Sequence, residues 1–171
     1  MTGVDPVLQR IADAVGMAHQ GDAPAARRVL GETWDEVNCG DRDPLYRCAI
    51  AHAMADLQAE PEEELVWDLR ALEAARLLTD ERTSGAGMIG AAQLFPSLHL
   101  NLADVYRRLG LSEPARDHVR LGLETAGALA ENGYGRMIRD GLSRVEARLD
   151  NPSSGQCRDR PAQAAIQMPG G

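Results

Sequence analysis

Residues 97–123 read SLHLNLADVYRRLGLSEPARDHVRLGL, and this stretch decides the fold. Leu98, Leu102, Val105, Tyr106 and Leu109 recur at three- and four-residue intervals, which predicts a helix with one apolar face. Gly110 follows the last of them, where a helix end calls for a left-handed residue. Ser112 then stands where a cap is wanted, with Glu113 and Pro114 in the first turn of a second helix. That helix places Ala115, His118, Val119, Gly122 and Leu123 on one side. Small residues at Ala103, Ala115 and Gly122 predict two helices in close approach. The unit is a helical hairpin.

Toward the N-terminus the same grammar repeats. Asp5 and Pro6 open a helix carrying Val7, Leu8, Ile11, Ala14, Val15 and Ala18 on a stripe, and Gly21-Asp22 closes it. A second helix starts at Pro24 and runs through Val29, Leu30 and Trp34, until Asn38-Cys39-Gly40-Asp41 breaks the pattern. Asp43-Pro44 begins a third, through Leu45, Cys48, Ala49, His52 and Ala55. Pro61 begins a fourth, with Glu62, Glu63 and Glu64 where negative charge suits the helix dipole. Residues 79–92 lose the helical signal, with three glycines between 85 and 90, and predict the longest internal loop. Beyond the central hairpin, Glu131-Asn132-Gly133 is a stop. A seventh helix, from about Tyr134 to Leu149, then presents Met137, Ile138, Leu142 and Val145 on one side. A lone last helix suits a stacked array, because the final hairpin otherwise exposes its apolar face. The expectation is an all-α domain over residues 1–150, three antiparallel hairpins plus a capping helix. A polar tail at 151–171 lacks periodicity and is expected to be disordered.

Composition narrows the function classes. Aromatic residues make up 4% and β-branched residues are few, which favours helix over strand. A formal net charge of −8 opposes nucleic-acid binding, which needs a basic face for phosphates. No apolar run is long enough for a transmembrane helix, so no membrane association is expected. Cys39, Cys48 and Cys157 are odd in number and lack C-x-x-C spacing, and no leader-like segment precedes the first helix. These features suit free thiols in a reducing cytoplasm.

Asn101-Leu102-Ala103, Tyr106, Leu109-Gly110 and then Ala115 resemble the signature of a tetratricopeptide repeat. The other two hairpins match less well: the first keeps the glycine and the following alanines, and the second lacks both the glycine and the tyrosine. The repeat spacing is also longer than in regular members. The resemblance implies a right-handed array whose first helices line a concave surface for extended peptides or partner helices. On the matching unit that face would carry Ser97, Leu100, Asn101, Asp104 and Arg108, with Asn101 placed to bond a peptide backbone. On the second hairpin it would carry His52 and Asp56, one turn apart. The basic residues with which some family members clamp an acidic C-terminus are missing from these positions. A basic or amphipathic segment is therefore the expected partner, and a homodimer through an exposed hairpin is an alternative.

Signs of catalysis are sparse. His52, Asp56, His99 and Asp104 were the one imaginable metal set, but no H-E-x-x-H occurs and the ligands come from different helices, so no metal is expected. Of the candidate nucleophiles Cys39, Cys48 and Ser97, Cys48 lies on an apolar face and reads as inert core, and Cys39, in a turn, has no base nearby in sequence. No nucleotide-binding or phosphate loop is present and no cofactor is expected. Trp34 and Trp67 read as core, His19 and His118 as turn and surface residues. The sequence thus points to a binding adaptor or scaffold rather than an enzyme, with Asn101, Asp104, His52, Asp56, Leu100 and Arg108 as its binding residues. The alternative is a small-molecule or enzymatic accessory site between the helices and the glycine-rich loop 79–92.

Overall fold

The computed structural model describes residues 5–85 and 90–151, and among these every regular element is helical. Helices α1 (Pro6–His19) and α2 (Ala23–Cys39) form one hairpin, and α3 (Pro44–Ala55) and α4 (Pro61–Ala75) the next. A short α5 (Asp80–Gly85) and a 3-10 turn (Ala91–Gln93) lead to α6 (Phe95–Arg108) and α7 (Ser112–Thr125). A second 3-10 turn (Ala126–Ala128) precedes α8 (Gly133–Asp150). Successive hairpins are joined by α2 against α3 and α4 against α6, and α8 lies against both α6 and α7. No described helix is long and apolar enough to cross a membrane.

The helix starts are written in Asp-Pro pairs. Asp5 accepts from the backbone N–H of Val7 and Leu8 at 3.0 and 3.1 Å, and Asp43 accepts from Leu45 at 2.8 Å. Each is followed by a proline whose missing N–H needs no partner at that position. The α6–α7 turn is a Schellman motif: Gly110 adopts φ +74°, its N–H bonds Arg107, and the N–H of Leu111 reaches back to Tyr106. Gly21 (φ +92°) ends α1 in the same way, its N–H bonding Ala18 while that of Asp22 reaches Met17. At α7, however, Leu111 occupies the cap position and Ser112 is already helical, with no side-chain cap bond.

The core runs through the array as linked clusters. Ile11, Ala14, Leu30, Ile50 and Met54 join α1, α2 and α3. Cys48, Ala51, Leu72, Ala75, Leu98, Leu102 and Val105 join α3, α4 and α6, and Ala103, Ala115, Val119, Val145 and Leu149 join α6, α7 and α8. Burying a leucine or valine fully stabilises by about 1.5–3 kcal/mol, and Leu30, Leu102, Val105 and Leu142 reach zero exposure. Trp34 and Trp67 meet edge to face, 5.1 Å between centroids, and pack on these clusters as the sequence suggests. Gly122 lets α7 lie close to α8, because a Cβ there would fall 2.6 Å from Leu142 Cδ2.

Residues 79–92 differ from expectation. Instead of an uninterrupted loop they contain α5 and the turn at Ala91–Gln93, while 86–89 lie outside the described residues. Tertiary contacts hold this segment: Arg82 pairs with Asp43 at 2.8 Å, and Thr83 is fully buried. Asp80 Oδ1 accepts from the N–H of Ala91 at 3.1 Å, closing the segment on itself. The tail expected from 151 likewise lies outside the described residues, apart from Asn151.

Candidate functional site

Polar side chains from three helices converge where α3, α4 and α6 meet. His52 lies in the last turn of α3 and Asp56 at its C-terminal cap. Asn101 projects from α6 so that its Nδ2 stands 3.5 Å from His52 Nδ1 and 3.5 Å from Asp68 Oδ1 on α4. Both distances are at the outer reach of a hydrogen bond, so one amide group is stretched between two acceptors. One turn along α6, Asp104 pairs with Arg107 at 2.9 Å and with Arg108 at 3.1 Å, and Arg108 also bonds Glu64 of α4. The structure brings His52, Asn101, Asp104 and Arg108, which the sequence groups only through the family resemblance, into one neighbourhood. Asp56 acts on it through charge.

Leu100 does not share that surface. It packs on α8, its Cδ2 lying 2.6 Å from where a Cβ at Gly141 would be. Ser97 is buried and its hydroxyl donates to the carbonyl of Leu94 at 2.9 Å, a helix-start bond rather than a display position.

The residue missed from sequence is Asp68. It is 1% exposed, and its Oδ2 is buried with no hydrogen-bond partner among the described residues. Burial, and after it the negative charge of Glu64, pushes the carboxyl up to about 7; Asp56 adds to this, while Asn101 and Arg108 oppose it. A carboxylate so placed is held between its charged and neutral forms near neutral pH. A faint signal was present, since an acidic residue in the apolar run Leu65–Leu72 stands one turn after Glu64. Glu64 itself, read as the end of a solvated helix start, is drawn inward by Arg108.

The imagined metal set is not assembled. His99 turns away to the α6–α7 interface, and among the described residues no group of three or more His, Cys, Asp or Glu could hold a metal ion. There His99 Nδ1 lies 2.9 Å from His118 Nδ1, and Tyr106 stacks on His118 with centroids 5.5 Å apart. His118 is thus half-buried, which corrects its reading as a surface residue. One ring donates and the other accepts, and desolvation lowers both, His99 to about 4. Cys48 is buried, which pushes its thiol up to about 12 and leaves it unreactive.

An open cavity of about 670 Å³ lies elsewhere, between the segment after α4 and the end of α7, lined by Leu78, Thr79, Asp80, Phe95, Glu124 and Ala128 among others. A smaller groove of about 390 Å³ runs along the α7–α8 edge, past Arg116, Val119, Leu123 and Leu149.

Compared with known proteins, the chain matches no family model, no curated protein and no solved structure.

Proposed function

We propose that the chain is a tetratricopeptide-like helical array that binds a protein or peptide segment on the face where α3, α4 and α6 meet. The observation that carries this reading is Asn101, whose amide spans from His52 on α3 to Asp68 on α4 without satisfying either at close range. Structural polar residues between helices are ordinarily bonded to completion. This trio is not. The hairpin-by-hairpin packing order and the Schellman turn at Gly110 support the architectural half of the proposal. Binding is by display: packed helices hold the polar groups near their bound positions, which lowers the ordering cost of association. Carboxylates outnumber the arginines that face them, which favours a basic or amphipathic segment as partner. The free thiols of Cys39 and Cys48 suit a reducing, cytoplasmic setting for such an adaptor.

The test is a lysate capture with the native chain, the Asn101→Ala/Asp104→Ala variant and an Arg28→Ala control on the exposed side of α2. A protein held by the first and third but lost by the second, with the second still folded by circular dichroism, supports the reading. Equal capture by all three refutes it. The 670 Å³ cavity supports a second reading, a small-molecule or enzymatic accessory site, which predicts a compound co-purifying with the native chain and displaced by Ala128→Trp.

A further inference from the structure

The neighbourhood of Asp68 holds an imbalance. From α3 it faces Asp56 and, through Asn101, His52; from its own helix it faces Glu64; from α6 it faces Asn101 and Arg108, the latter also paired with Asp104. The cations are already committed, Arg107 to Asp104 and Arg108 to Glu64 and Asp104. Among the described residues this leaves Asp56 and Asp68 without an ion pair, and Asp68 Oδ2 without a hydrogen bond of any kind. An unpaired carboxylate oxygen inside a protein costs far more than an exposed one. Replacing Asp68 with a plain apolar residue would remove that cost, so the group is better explained by a donor that arrives from outside.

We propose that this junction is a recognition subsite for one arginine side chain of the bound segment, with Asp68 as its floor and Asp56 and Glu64 as its walls. The inference rests on the reading of this face as the binding surface and adds the chemistry of what it binds. A guanidinium fits better than an ammonium for two reasons. Its planar fork carries five N–H donors and serves several carboxylates at once, and it is more weakly hydrated, so it enters a buried site at lower cost. Arg108 shows that a guanidinium can be seated between Glu64 and Asp104 at the rim of the same site. Arg108 and Glu64 remain 35% and 20% exposed, whereas Asp68 is 1% exposed, so seating the incoming group on Asp68 requires this pair to swing aside.

A proton is coupled to the event. The arginine needs Asp68 ionised, and Asp68 is held up to about 7, so its ionised fraction rises roughly tenfold between pH 6 and pH 8 and affinity rises with it. The test uses fluorescent nonapeptide pools with blocked ends and flanks randomised without His, Arg, Lys or Cys. Their central residue is arginine, lysine, citrulline or glutamate, and binding is read by anisotropy at both pH values. The native chain is expected to bind the arginine pool at least tenfold tighter than the citrulline pool, and about tenfold tighter at pH 8 than at pH 6. In Asp68→Asn, checked for folding by circular dichroism, both differences are expected to shrink below about twofold. Equal binding of citrulline and arginine overturns the subsite, as does an arginine preference that survives in Asp68→Asn. Equal binding of lysine overturns the guanidinium assignment, and a pH effect that survives in Asp68→Asn overturns the coupling of binding to the Asp68 proton. If every pool binds the native chain alike and Asn101→Ala/Asp104→Ala binds none, the binding surface stands and the arginine subsite falls. If no pool binds the native chain, both fall.

Discussion

Asp68→Asn is expected to change stability in opposite proportion to acidity, and its size follows from the structure. The native carboxyl titrates at about 7 when folded against its ordinary 3.8 when free, because the site is buried and faces Glu64 and Asp56. A carboxyl raised in this way contributes its full stability below the unfolded value and loses it as pH rises through the folded one. At pH 5 the folded chain holds the proton and the unfolded chain has largely lost it; at pH 8 neither holds it. Two pH units below the folded midpoint correspond to about 3 kcal/mol, an upper limit, that the native chain has at pH 5 and lacks at pH 8. Asparagine is nearly the same shape, does not titrate, and its carbonyl can still accept from Asn101 while its NH2 faces Glu64. The two chains should therefore be close in stability at pH 5, with the variant ahead by about 2–3 kcal/mol at pH 8. Urea unfolding of both chains at the two pH values measures this directly, since the midpoint shifts at constant slope if only stability changes. The histidine pair is common to both chains, so its contribution cancels in the difference. A difference independent of pH, or a variant weaker than native at pH 8, would refute the account of Asp68 as a buried, unpaired acid.

Two further predictions probe the packing that holds the site. Gly135→Ala should destabilise by about 1–3 kcal/mol, because its Cβ would lie 2.1 Å from the carbonyl oxygen of Ala130, whereas Gly31→Ala, inside α2 with open space around it, should stabilise by up to about 1 kcal/mol; thermal unfolding of the pair reads both signs, and like signs would contradict the close approach at α8. His99 should remain neutral down to about pH 4 in a histidine ring-proton NMR titration, so its contribution is present above about 6.5 and lost as pH falls toward 4; a midpoint near 6.5 would mean that the His99–His118 contact does not form in solution.

What the sequence disclosed and what it hid follow one physical division. Features set by neighbours in the chain were legible. The Asp-Pro starts at Asp5 and Asp43, the left-handed glycines at 21 and 110 and the apolar stripes that place Leu102 and Val105 inside are fixed within a turn or two of backbone. Features set across helices were not. Helix α5 has no apolar stripe and is held by Arg82 reaching Asp43, thirty-nine residues away in sequence. His118 is half-buried because His99 and Tyr106 cover it from the neighbouring helix, a contact that its place beside Ala115 and Val119 on α7 did not disclose. Periodicity put His52 and Asp56 on one helix face and Asn101 and Asp104 on another. It could not say that α4 would insert an acid between them, because a lone Asp in an apolar run is equally compatible with a solvent-facing position. That is why the residue with the strongest claim on function is also the one the pattern passed over. A polar group at an apolar position conflicts with the local rule, and such conflicts tend to collect where a chain does something other than fold. At Asp68 the conflict has no internal resolution, with one oxygen bonded at 3.5 Å and the other not at all. The missing half of that bonding is what a partner would supply.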